Sequence, residues 1–73
     1  MAVEINTVYW KMYKMCTCGG VLKHKYRHTQ NPSIEVHIMP NKGTFILFQS
    51  GNVIVKGKTT ELKATLQKYE PVK

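Results

Sequence analysis

Residues 32–57 leave the chain little choice of fold. Ile34, Val36 and Ile38 alternate with Ser33, Glu35 and His37. That period of two marks a half-buried strand. Pro40-Asn41-Lys42-Gly43 supplies turn residues. TFILFQ, at residues 44–49, is apolar on both faces, and Ser50-Gly51-Asn52 then gives a tight reversal, which a glycine's freedom at positive φ permits. Residues 53–56 read as the return strand, ended by Gly57-Lys58. Connections this short join neighbours antiparallel, so the three strands form a meander.

On the C-terminal side, Thr59-Thr60-Glu61 reads as a helix start, with a threonine cap and an acid in the first turn. Leu62, Leu66 and Tyr69 recur at i, i+4 and i+7 as one apolar stripe, and Pro71 is the expected stop. On the N-terminal side, residues 3–15 (VEINTVYWKMYKM) have the Val, Ile, Thr, Tyr and Trp content of a long strand. One face would carry Ile5, Thr7, Tyr9 and Lys11, the other Asn6, Val8, Trp10 and Met12. Between them Gly19-Gly20 breaks the chain, and residues 21–28 read either as a short helix or as a second hairpin strand. The expected architecture is one α+β domain over residues 1–73. It is a curved antiparallel sheet of four or five strands with a C-terminal helix packed on one face. The other face is left open, with Ile46 and Phe48 on it.

Charge narrows the partners. Eleven Lys and Arg stand against four Asp and Glu, a net charge of +7 with a pI near 9.7. This favours nucleic acid, an acidic protein or another anionic surface. The densest basic tract is Lys23, Lys25 and Arg27, interleaved with His24 and His28. No apolar run approaches the ~20 residues of a membrane span, and the first ten residues lack the pattern of a signal peptide. The expectation is an intracellular protein with reduced thiols, in the nucleus or another DNA compartment if the source is eukaryotic or viral. A 73-residue chain buries only roughly 60% of its unfolded surface, so a partner subunit is an expected source of stability.

Neither a metal centre nor an enzyme is expected. Cys16-x-Cys18 with His24 and His28 is the one metal-like set, but Cys-x-Cys is tighter than the usual ligand spacing. The reading is two free thiols and surface histidines, with no cofactor. The chain has no Asp, and Glu4, Glu35, Glu61 and Glu70 fall on separate elements. No nucleophile motif or phosphate-cradling glycine loop occurs.

The run NPSIEVHIMPNKGTFILFQSGNVIVKGK resembles the end of one repeat of the TATA-box-binding protein family. That family shows a Pro-led strand, a second Pro and a turn. An apolar strand ending Phe-x-Ser-Gly follows, then a Val-rich strand ending in Gly, and a closing helix. Phe48-Gln49-Ser50-Gly51 and Gly57 stand in those places, and Asn6 and Val8 fit an Asn-x-Val in the first strand. The resemblance is close from residue 31 onward and weak in the first third. It implies a half-saddle that binds double-stranded DNA on its concave face in transcription, with Asn6, Val8, Ile46, Phe48, Ile54 and Lys56 on that face. Apart from the resemblance, the charge of Lys23, Lys25 and Arg27 suits contact with phosphates or with acidic residues. There are departures. No second Phe stands beside Pro32, Glu35 occupies a strand side where the family favours bases, and the helix after the first strand is shortened or missing. One repeat in place of two implies a homodimer about a two-fold axis beside the first strand, with Val8, Trp10 and Met12 at its interface. The alternative is an interaction module of the same fold that binds protein without binding DNA.

Overall fold

Five strands follow one another in sequence and in space in the computed structural model, which describes residues 5–70. They are β1 (Trp10–Cys18), β2 (Val21–His28), β3 (Ile34–Met39), β4 (Thr44–Gln49) and β5 (Asn52–Lys58). All neighbours pair antiparallel in the order β1-β2-β3-β4-β5, an open meander whose outer strands are β1 and β5. A 3-10 turn (Thr59–Glu61) and a short helix, α1 (Leu62–Gln67), complete the fold. The α+β class and the antiparallel sheet are as the sequence implies.

The turns explain the meander. Gly19 and Gly20 take φ of 60° and 79°, and Ser50 and Gly51 take 52° and 82°. Each pair is the two-residue loop between directly paired strand ends, with the twist that two-residue hairpins require. Between β3 and β4, the amides of Lys42 and Gly43 donate to the carbonyls of Met39 and Pro40.

Strand register sorts the side chains. On one face lie Trp10, Tyr26, Ile34, Val36, Ile38, Phe45, Leu47 and Val55, and α1 sets Leu62 and Leu66 against them. Val36, Leu47 and Trp10 are wholly buried. Gly57 sits opposite Phe45 in this layer. A Cβ there would come within 3.2 Å of the Phe45 ring, so glycine lets that ring lie across β5.

Three sequence expectations need correction. The first strand does not span residues 3–15; it starts at Trp10. Asn6 ends any earlier extension, because its Oδ1 accepts from the Val8 amide and its carbonyl accepts from the amides of Tyr9 and Trp10. Local Asn turns compete with strand in this way. Val3 and Glu4 lie outside the described residues. The second correction is the cap. Neither the 3-10 turn nor α1 has a side-chain cap. Thr59 instead donates its amide to the Gly43 carbonyl at 2.8 Å. The third is the helix end. α1 stops at Gln67, Tyr69 packs on the core from the turn beyond it, and Pro71 lies outside the described residues.

Candidate nucleic-acid interface

The face opposite α1 is built by the alternate positions of the same strands. Register places Lys11 opposite Arg27, Arg27 opposite Glu35, Glu35 opposite Phe48 and Phe48 opposite Val53. A second row runs Lys14, Lys25, His37, Ile46, Lys56, and a third pairs Met39, Thr44 and Lys58. Lys23 stands opposite Cys16. Seven cations therefore share this face: Lys11, Lys14, Lys23, Lys25, Arg27, Lys56 and Lys58. The remaining described cations are Lys42 in a turn and Lys63 and Lys68 in or after α1. Glu35 is the face's one described acid, and Glu61 and Glu70 lie with the C-terminal segment. The cations occupy β1, β2 and β5. The strip between them, on β3 and β4, carries Met39, Ile46, Phe48 and His37.

Glu35 is engaged on three sides. The Tyr13 hydroxyl donates to Oε1, Arg27 Nη2 lies 3.6 Å from Oε2, and His37 Nε2 lies 3.6 Å from Oε1. Arg27 also lies over the Tyr13 ring, 4.2 Å from its centroid. The tyrosine hydrogen bond holds the Glu35 carboxyl below its ordinary range against the opposing effect of burial, with His37 and Arg27 adding. Burial first, and then the bond to Glu35, raises the Tyr13 phenol. Burial lowers His37, opposed by Glu35 and reinforced by Lys25 and Lys23. The His37 ring is 4.5 Å from the Phe48 ring, and its buried Nε2 has no hydrogen-bond partner among the described residues. The carboxylate that the sequence sets against an anion-binding face is thus ionised, hydrogen-bonded by Tyr13 and offset by the charge of Arg27.

The sequence-stated site residues divide. Ile46, Phe48, Lys56, Lys23, Lys25 and Arg27 come together on the open face. Ile54 is the unpaired residue of a bulge, and Val53 takes the place opposite Phe48; both are exposed. Asn6 and Val8 do not join this face. They lie in the turn before β1, where Asn6 faces α1 across a groove lined by Thr7, Lys63, Leu66 and Glu70. Trp10 cannot serve as an exposed interface residue: it is 0% exposed, and its indole nitrogen donates to Glu70 at 3.3 Å. Val8 and Met12 are exposed, but Met12 shares the helix-side face with Trp10. Residues that the sequence reading missed are Lys11, Tyr13, Lys14, Val53 and Lys58.

The Cys/His set is dispersed. Cys16 is on the open face and His24 opposite Ile38 on the other. His28 is buried with both ring nitrogens hydrogen-bonded. Among the described residues no group of three His, Cys, Asp or Glu side chains is placed to hold a metal ion, and no helix is long and apolar enough to cross a membrane. No protein-family model, curated protein or solved structure matches this chain.

Proposed function

We propose that the open sheet face binds nucleic acid, with double-stranded DNA as the ligand. The observation that carries this reading is the segregation of seven cations onto the face that α1 leaves uncovered, around an apolar strip containing Phe48 and Ile46. Cations at the flanks suit phosphates, which dominate affinity. Phe48, Ile46 and Val53 suit apolar contact with bases or sugars in a groove. The resemblance of residues 31–73 to a TATA-box-binding-protein repeat supports the same face and a curved half-saddle. A homodimer of such half-saddles would join through the free edge of β1 and not through Trp10.

A salt titration tests this reading. With Z phosphates engaged, log K falls against log salt with a slope of about −0.9Z. Several contacts from Lys56, Lys58 and the β1–β2 cations predict a steep slope. Absence of affinity for any duplex at low salt overturns the reading. It would favour the protein-binding alternative, in which the same basic face meets an acidic partner.

A further inference from the structure

The β1–β2 ladder breaks a rule of sheet pairing. Lys11 stands directly opposite Arg27, and one step along Lys14 stands directly opposite Lys25. Like charges directly opposite on one face destabilise a strand pair. Such local conflicts concentrate at functional sites. The ion pairs of the described residues join Arg27 and His37 to Glu35; Lys11, Lys14 and Lys25 form none. The Lys11–Arg27 pair also borders a cavity of about 540 Å³, walled by Tyr13, His28, Thr29 and Pro32. That volume lies within the range of small-ligand sites, and the hollow is open to solvent on one side.

We propose that this cavity is a phosphomonoester site, and that it takes the phosphorylated end of a nucleotide chain or a free nucleoside monophosphate. Charge selects the monoester. Glu35 already offsets Arg27, but Lys11, Lys14 and Lys25 have no such partner among the described residues, so the single negative charge of a phosphodiester inside a chain leaves two cations of these rungs uncompensated. A monoester carries about −1.5 to −2 at pH 7 and offsets about two of the three. Arg27 supplies planar donors suited to phosphate oxygens and Lys11 a point charge. The exposed Tyr13 ring supplies an apolar wall for the sugar or base. Lys14 and Lys25, the next rung, are placed for the adjoining phosphate. The polymer form of this ligand rests on the nucleic-acid reading above; the free-nucleotide form does not.

The test compares a short duplex with 5′-phosphates, the same duplex with 5′-hydroxyls, and a free nucleoside monophosphate. Binding is read by anisotropy for the duplexes and by amide chemical shifts for the nucleotide. The phosphorylated duplex is expected to bind about tenfold tighter than its hydroxyl counterpart. Lys11→Gln and Arg27→Gln should each remove most of that preference, whereas Lys56→Gln should weaken both duplexes alike. Lys11 is exposed and makes no ion pair among the described residues, so its substitution leaves the fold intact and keeps the comparison interpretable. Equal binding of both duplexes, with no shift at Tyr13 or Arg27 on adding nucleotide, overturns the proposal while leaving the nucleic-acid reading standing. Shifts at those residues without binding of either duplex support the site and sink the nucleic-acid reading. No response to any of the three probes overturns both.

Discussion

The imidazole of His28 donates from Nε2 to the carbonyl oxygen of Tyr69, 2.8 Å away, while its Nδ1 accepts from the backbone amides of Gln30 and Asn31. Those two acceptances fix the tautomer, since Nδ1 must be unprotonated to receive them. One buried ring on β2 therefore ties the segment after α1 to the loop between β2 and β3. It also stacks edge-on against Trp10 at 4.8 Å. His28→Ala leaves the partners of three hydrogen bonds to find water in a partly closed site, which costs about 1–3 kcal/mol. Urea unfolding measures this. A loss below a few tenths of a kcal/mol would mean that the ring is not the strap described.

Lys14→Glu should separate stability from binding. The substitution turns a like-charge rung with Lys25 into an attractive one, and opposite cross-strand charges contribute roughly 0.2–1 kcal/mol. The expected result is a higher Tm with weaker nucleic-acid affinity. A lower Tm contradicts the like-charge cost assigned to this rung, and affinity equal to the parent contradicts its assignment to phosphate binding.

The C-terminal half was legible because its signals agree. IEVHIM alternates cleanly, TFILFQ is bounded by Pro40–Gly43 and Ser50-Gly51, and β3 and β4 fall where those signals put them. The first strand was misplaced because residues 3–9 have strand composition, while one Asn6 turn overrides it. Residues 21–28 stay open between helix and hairpin strand in the sequence for a different reason, and the structure makes them the strand β2. Its helix-side positions are Leu22, His24, Tyr26 and His28, so apolar alternation is diluted by histidine. The alternation of its cations, Lys23, Lys25 and Arg27, was the usable signal. For the same reason Lys11 and Lys14 could not be joined to the site before the β1–β2 register and its break between Met12 and Lys14 were known.

Stability should fall in two stages on acidification. The imidazole of His37 is lowered by burial, and Glu35 is lowered chiefly by the Tyr13 hydroxyl. A group lowered in the folded state contributes stability that is present above its unfolded pKa and is lost as pH falls through its folded one. The first loss therefore begins below about pH 6.5 and the second below about pH 4.3. His37→Gln should remove the first stage and leave the second. On the alkaline side Tyr13 and Tyr26 are raised, principally by burial, so their contribution holds below about pH 10 and is lost above it. A melt series in which His37→Gln leaves the profile between pH 7 and 5 unchanged would rule out the first stage.

Leu47 and Phe48 are adjacent in sequence and lie on opposite faces of β4, which makes them a matched test of the interface. Leu47 is 0% exposed beneath α1, and Leu47→Ala should cost about 2–5 kcal/mol of stability. Its folded fraction should bind nucleic acid as the parent does. Phe48 is half-buried on the open face against His37, so Phe48→Ala leaves a shallower gap and should cost well under the ~3–5 kcal/mol of a core phenylalanine. Its effect belongs in affinity, because the ring supplies the largest apolar contact of the central strip. About tenfold weaker duplex binding is expected, corresponding to ~1.4 kcal/mol. Urea unfolding and duplex anisotropy on both variants give the four numbers needed. Comparable losses of stability for the two, with no change in duplex affinity for Phe48→Ala, would make Phe48 a packing residue and remove the aromatic contact from the proposed interface.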